Sequence, residues 1–165
     1  MTVRLLTTED VRAHATELGE VLADAVAGGA SVSYMAGFGR PQAAAYFEKV
    51  AAQPERLVFA AGDFDGTAQL WLDMPPNQPH RAELAKMLVH RRARRRGLGR
   101  ALFAAVEAEA RRRGRTLLTF DTMSGSAAEK LYLSCGCVKA GEIPRFALLP
   151  EGGEPAATSV FFKLL

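Results

Sequence analysis

The chain has 165 residues, of which 48% are apolar and 24% charged, with a net charge of +3. That is ordinary globular usage at the size of one domain, and it excludes a disordered tail, a collagen-like repeat and a disulfide miniprotein. No apolar run approaches the roughly 20 residues of a membrane span, and the N-terminus lacks a signal-peptide stretch.

Residues 3–6 form a short apolar run that predicts a strand. Thr8, with Glu9 and Asp10 behind it, has the pattern of a helix cap followed by acids in the first turn. Val11, Leu18, Val21, Leu22, Ala25 and Val26 then recur at helical spacing as far as Gly28-Gly29. Pro41 suits the first turn of a second helix that carries Ala44, Ala45, Phe47 and Val50. Residues 56–61 are β-rich, and a hairpin turn follows at Gly62-Asp63 or at Asp65-Gly66, both of which stay open. Residues 69–74 predict the next strand, with Leu70 and Leu72 opposite Trp71. A stiff proline loop leads into a strand over residues 81–89. Residues 98–113 have helical spacing and stop at Gly114. Residues 116–121 are nearly all apolar, which predicts a strand covered on both faces. A short helix over 126–135 and strands over 138–143 and 159–164 complete the chain. No repeat or linker interrupts the pattern, so one mixed α/β domain over residues 1–165 is expected. The two cysteines, Cys135 and Cys137, have no second pair or nearby histidine. They make a poor zinc site and read as reduced thiols of a cytoplasmic protein.

Ten arginines stand between residues 90 and 115, against Glu107 and Glu109. This local charge of +8 leaves the rest of the chain at −5. The densest part, His90-Arg91-Arg92-Ala93-Arg94-Arg95-Arg96-Gly97-Leu98-Gly99-Arg100, lies between a predicted strand and a predicted helix. Arginines at a helix N-terminus oppose its dipole, at a cost of roughly a few tenths of a kcal/mol each. They make sense if an anion sits there, because glycines let backbone N–H groups approach a phosphate and the dipole then assists. The spacing Arg94-x-x-Gly97-x-Gly99 is neither a dinucleotide fingerprint nor a Walker sequence. A solvated basic turn and a nucleic-acid patch are the alternatives. The lack of interleaved aromatic residues and the acidic remainder of the chain count against nucleic acid.

R-x-x-G-x-G after a strand and opening a helix resembles the pyrophosphate loop of the GNAT acetyltransferases, which bind acetyl-CoA. Asp121-Thr122, residues 125–128, Leu131-Tyr132 and Cys135-Gly136-Cys137 resemble the segment that follows in that family. The likeness covers nearly the whole chain. It looks strongest to the tabtoxin-resistance-like branch in residues 29–32, 77–83, 86–90, 143–148 and 158–163. The resemblance implies the GNAT fold, a central, mixed, mostly antiparallel twisted sheet of about six to seven strands flanked by helices. It also implies acetyl-CoA as co-substrate, no metal, and direct attack by an amine in a ternary complex. Arg94, Arg95, Arg96, Gly97, Leu98, Gly99 and Arg100 would hold the pyrophosphate. Met87, Leu88 and Val89 would pair with the pantetheine arm, with the N–H of Leu88 or Val89 on the thioester carbonyl. Gly125, Ala128 and Tyr132 would lie along the same arm. Three positions depart from the family pattern: Gly125 where many members carry Asn, Cys137 where an aromatic is common, and Asp65 where an apolar residue is usual.

Acyl transfer to an amine needs a base for the amine, a donor for the developing oxyanion and a proton for the thiolate. Tyr132 matches the family's general acid. Glu83 and Asp121 are the carboxylates offered for holding the ammonium and relaying its proton, with His80 ranked below them. The plainer roles are a core tyrosine, a loop cap for Asp121, and an ion pair of Glu83 with Arg81 or Lys86. An acidic pair beside a basic cofactor turn suggests a small primary amine as acceptor, such as an amino acid or an amino-acid-like toxin. A protein or peptide N-acetyltransferase and a CoA-binding module without turnover are the alternatives. The expected partner is the amine substrate, without nucleic acid or membrane, and a homodimer is left open.

Overall fold

Seven strands and five helices form among residues 2–165, the part of the chain that the computed structural model describes. In chain order they are β1 (Val3–Leu5), α1 (Thr8–Ala13), α2 (Ala15–Ala27), α3 (Arg40–Ala51), β2 (Arg56–Ala61), β3 (Gly66–Trp71) and β4 (Arg81–Val89). A 3₁₀ turn (Arg91–Ala93), α4 (Leu98–Arg112), β5 (Leu117–Met123), α5 (Ala127–Ser134), β6 (Val138–Leu149) and β7 (Gly152–Leu164) follow. The sheet order is β1-β2-β3-β4-β5-β7-β6, and every neighbouring pair is antiparallel except β4–β5. This is the mixed, mostly antiparallel sheet flanked by helices that the resemblance implies.

Several boundaries differ from the sequence expectation. The first helix is capped by Thr7 and not by Thr8. Thr7 Oγ1 accepts the Asp10 N–H at 3.1 Å, and Asp10 Oδ2 accepts the Thr7 N–H at 2.9 Å. Such a reciprocal cap needs its acid three residues on, which Asp10 supplies for Thr7. The long helical stripe breaks at His14 (φ −115°), giving α1 and α2. β3 starts three residues earlier than expected, because Ala61 already pairs with Gly66 and residues 62–65 form the turn. Leu70 and Leu72 are buried and Trp71 is only partly so, as their alternation implies.

The larger corrections concern the last three strands. β5 runs on to Met123, and only one of its faces is covered: Leu118 and Phe120 are buried, Asp121 is exposed. β6 and β7 are about twice their expected length and form one long hairpin. Pro144 and the left-handed Arg145 (φ 54°) disturb the pairing between Ile143 and Ala147 as a bulge and do not end the strand. Both cysteines are free, and burial pushes the Cys137 thiol up to about 12.

Two apolar layers enclose the sheet. On one face α4 and α5 set Leu98, Leu102, Phe103, Val106 and Tyr132 against Leu70, Leu118, Phe120 and Phe161. On the other, α1–α3 set Leu18, Leu22, Phe47 and Val50 over Val58 and Ala60. The strand registers put Glu83, Thr119, Asp121, Val160, Thr158 and Ile143 together on this second face, beyond the helices.

Glu129 fastens α5 to the β6–β7 hairpin. Its carboxylate accepts from the Lys139 ammonium (3.0 Å), the Gly125 N–H and the Ser159 hydroxyl (2.8 Å). These bonds, led by Lys139, hold its carboxyl down at about 2, against an ordinary 4.5. A lowered folded value means that the stabilisation is complete above the ordinary value and is lost as pH falls through the window from 4.5 to about 2. Glu129→Gln is therefore expected to lower Tm near neutrality. The gap to the parent should close as the pH of the melts is brought down toward about 2, read by circular dichroism.

Candidate active site

β4 and β5 pair over three residues only, Arg81–Glu83 with Leu117–Thr119. β3 then holds β4 as far as Val89, and β7 holds β5 as far as Met123, so the two strands part. A bulge helps them diverge. Between the pairs Gln69–Ala85 and Thr67–Leu88, β4 carries one residue more than β3, and Lys86 there has φ 47°. Past Glu83 the edge of β4 that faces β5 has no strand partner, and Met87, Leu88 and Val89 lie along it.

The basic turn begins where β4 ends. Part of the charge of the 90–115 segment is engaged inside the fold. Arg91 bonds Asp24 at 2.8 Å, and Arg92 bonds Asp65 at 2.9 Å. Arg111 pairs with Glu107, and Arg112 and Arg113 with Glu109. Arg115 donates to the carbonyls of Pro79, Arg81 and Leu72. The unusual Asp65 thus has a local reason: it anchors the turn. Arg94 reaches only the Val89 carbonyl (3.1 Å), and Arg100 bonds Ser134. The side chains of Arg95 and Arg96 have neither ion pair nor hydrogen bond among the described residues.

α4 opens at Gly97 (φ 81°) with no side-chain cap and no acid in its first turn. The first N–H groups of a helix have no intrahelical acceptor. An uncapped helix start, flanked by two unpaired guanidiniums and no carboxylate, suits a phosphate-bearing ligand. At Gly99 a Cβ would come within 2.9 Å of Leu131 Cδ2, so a larger residue there asks the end of that side chain to shift.

Glu83 and Asp121 line one cleft of about 210 Å³, together with Thr119, Ile143, Phe146 and Thr158. Glu83 pairs with Arg81 at 3.6 Å and not with Lys86. Burial raises the Glu83 carboxyl above its usual range; Arg81 opposes the rise and the Asp121 charge adds to it. Asp121 accepts from the Thr158 hydroxyl at 2.7 Å and does not cap the loop after it. Lys86 reaches back to the 28–39 segment, donating to the Val32 carbonyl (2.8 Å) and to Ser33 Oγ (3.0 Å). Ala36 N–H bonds the Pro150 carbonyl at 2.9 Å, which ties the same segment to the β6–β7 turn. His80 lies outside this site. Its carbonyl accepts the N–H groups of Thr116 and Leu117 at the closed end of the β4–β5 pair.

Tyr132 approaches from the other face of the sheet. Its ring packs on Phe120 (centroids 4.5 Å), Phe103 (6.0 Å) and Phe161 (6.0 Å), and the residue is only 5% exposed. Its hydroxyl has no hydrogen bond among the described residues. The sealed side-chain atoms without partners are Gln69 Nε2 and Arg115 Nε, so the Tyr132 hydroxyl still reaches solvent. Burial lifts the phenol above its ordinary value, with the cysteine thiols and Asp121 adding to the rise, so it is protonated near neutral pH. Glu83 and Lys86 lie on β4 and Asp121 on β5, on either side of the gap, and Tyr132 lies on α5 behind Phe120. Gly125 (φ 75°) has its N–H engaged by Glu129, which leaves that donor unavailable to a ligand, and Ala128 packs at the edge of the core.

Sequence reasoning missed Phe146 and Thr158, because both fall in stretches of β6 and β7 expected to be loop. The period-two run Thr158-x-Val160 would have extended the last strand to include Thr158. It also missed the reach of Lys86. A lone charge inside Leu84-Ala85-Lys86-Met87-Leu88-Val89 was the signal for a bulge.

A model of the Acetyltransferase (GNAT) family matches residues 24–137. Among solved structures, ribosomal-protein-alanine N-acetyltransferase from Brucella melitensis is similar over 100% of both chains, at 23% identity and a TM-score of 0.79. A Salmonella typhimurium protein solved with its cofactor acetyl-CoA is similar over 100% of this chain and 94% of its own, at 20% identity and a TM-score of 0.77. An aminoglycoside 6'-acetyltransferase is similar over 99% of this chain and 97% of its own, at 18% identity and a TM-score of 0.74. At these identities the likeness to the solved structures is one of fold. Among the described residues, no cluster of His, Cys, Asp and Glu could hold a metal, and no helix is long and apolar enough to cross a membrane.

The Gly99–Leu131 contact is open to test. Gly99→Val is expected to destabilise the chain by about 1–3 kcal/mol through overpacking. Leu131→Ala in the same chain should recover a good part of that loss, because the two sites are coupled. Additive denaturant midpoints would show that the contact is not what keeps residue 99 small.

Proposed function

The chain belongs to the GNAT acetyltransferase family, and on that premise we propose that it moves the acetyl group of acetyl-CoA to the primary amine of a small molecule, an amino acid or a close analogue. The observation that carries the acceptor class is the cleft that holds Glu83 and Asp121. The two carboxylates share that cleft with the apolar side chains of Ile143 and Phe146, which suits an ammonium carried on a small, partly apolar molecule. The 28–39 segment, pinned at Lys86 and at Pro150, supports the same reading. So does the Ile143–Phe146 wall, part of the stretch that resembles the tabtoxin-resistance-like branch.

Acetyl-CoA supplies the acyl group as a thioester, an activated carbonyl. Arg94, Arg95, Arg96 and Arg100, with the N–H groups of residues 95–100, would hold its pyrophosphate. The free edge of β4 at Met87, Leu88 and Val89 would pair with the pantetheine amides as an added strand does. The N–H of Leu88 or Val89 would polarise the carbonyl. Ala128, beside Gly125 at the start of α5, would flank the arm. Glu83 and Asp121 hold the acceptor's ammonium. Glu83, raised by burial, accepts a proton more readily than an ordinary carboxylate and passes it on through water. Tyr132 holds its proton toward the departing sulfur. Starting from the ammonium, the balance is one C–N bond formed, one C–S bond broken and two protons lost from nitrogen, one through Glu83 to water and one that makes good the proton Tyr132 gives to sulfur.

Thiol release from acetyl-CoA against a panel of amines tests the transfer itself. Release with none of them would favour a CoA-binding module instead. With an active amine, Glu83→Gln and Asp121→Asn are each expected to lower kcat/KM by about 10–100-fold while CoA affinity stays intact. That corresponds to losing one charge-assisted hydrogen bond of about 1.5–3 kcal/mol. Tyr132→Phe is expected to lower kcat by about 10²–10⁴-fold, the range for a general acid, with an unchanged melting curve and CoA affinity. Near-full kcat in that variant would show that the thiolate leaves without the phenol.

A further inference from the structure

Lys86 stands at the gap without a task in that mechanism. It sits on the β4 bulge, partly buried, with Nζ bonded to the Val32 carbonyl at 2.8 Å and to Ser33 Oγ at 3.0 Å. The Tyr34 ring lies below it, 5.5 Å from Nζ to the ring centre. No carboxylate is within ion-pair distance of it among the described residues. Two neutral oxygens and an aromatic face compensate a partly buried ammonium less fully than a carboxylate would. An ammonium has three donors, and two of these are used.

Asp121 has the opposite imbalance. Its carboxylate accepts from the neutral Thr158 hydroxyl and has no cation within ion-pair distance among the described residues. Asp121 lies two residues past Thr119 on β5 and Lys86 three residues past Glu83, the partner of Thr119, on β4, so the two face each other across the parting strands without pairing. One lip of the gap therefore carries an unmatched cation and the other an unmatched anion. A ligand complementary to both carries an ammonium and a carboxylate.

Resting on the reading of the chain as a small-amine acetyltransferase, we propose that Lys86 binds the carboxylate of a zwitterionic acceptor whose ammonium lies at Asp121 and Glu83. Lys86 is then a specificity residue. It separates a free amino acid from an amino-acid amide, an ester or a peptide N-terminus, in all of which the carboxylate is gone. If Lys86 only anchored the 28–39 segment, its loss would not change that discrimination.

The test uses the full chain saturated with CoA and three probe pairs: leucine, methionine and phenylalanine, each as free acid and as primary amide. The apolar side chains suit the Ile143 and Phe146 wall. Calorimetric Kd and, with acetyl-CoA, kcat/KM by thiol release are both expected to favour the acid by about tenfold or more, as one charge-assisted hydrogen bond implies. Lys86→Gln keeps a donor for the Val32 carbonyl and should abolish the preference. Lys86→Arg should retain most of it. Equal treatment of acid and amide by the parent chain, or an unchanged ratio in Lys86→Gln, overturns the inference while leaving the transferase reading in place. No turnover of any probe removes both. The parent's acid-to-amide ratio decides the matter even if a variant fails to fold.

Discussion

Two strands that begin in register and are then drawn apart leave backbone hydrogen-bonding groups unmatched, and the parting of β4 from β5 is the constraint on which this structure depends. The cause is competition between ladders. β5 is paired to β7 along its whole length and β4 to β3 as far as Val89, while the parallel β4–β5 pair has three residues. At about 0.5–1.5 kcal/mol net per hydrogen bond, the two long ladders outweigh the short one. The bulge at Lys86 then turns β4 away. What is left is an edge of β4 without a strand partner, with Tyr132 packed on one face of the sheet and Glu83 and Asp121 lining a cleft on the other.

The arginines around that opening divide by what they can reach. Asp24 on α2, Asp65 in the β2–β3 turn, and Glu107 and Glu109 on α4 each engage the nearest guanidinium. Glu107 and Glu109 are already counted in the local +8, so Asp24 and Asp65 reduce it only to +6. Arg95 and Arg96 are passed over and flank an uncapped helix start. A run that looks like a broad basic patch is thus partly a framework of ion pairs, with two unpaired guanidiniums beside a helix start, which explains why its composition alone pointed to several kinds of partner. The carboxylates lie on the opposite face of the sheet, so anionic and cationic ligand groups would meet at the gap from different sides.

Chemistry that acts over three or four residues was legible in the sequence. The limits of β2 and β4, the stop of α4 and the Ser126 cap of α5 follow from local patterns. Glu83, Asp121 and Tyr132 were reachable from their strands and from a family pattern, and the two carboxylates do share one cleft. Distant partners were not legible. Asp121 meets Thr158, 37 residues on, and Lys86 meets Val32, 54 residues back. No local rule links such pairs. Pro144 hid the length of the β6–β7 hairpin, because a proline on an edge strand looks the same in sequence as one that ends it. The proximity of Gly99 to Leu131 was not legible for a related reason: Leu131 belongs to another helix.

A crystal structure of the chain with CoA tests the assignment of the gap most directly. The pyrophosphate oxygens should lie about 2.7–3.2 Å from N–H groups of residues 95–100. The pantetheine amides should bond to the backbone of residues 87–89, and the sulfur should face the Tyr132 hydroxyl. A pyrophosphate bound away from the start of α4, or an arm that runs outside the β4–β5 gap with the sulfur remote from Tyr132, would contradict it.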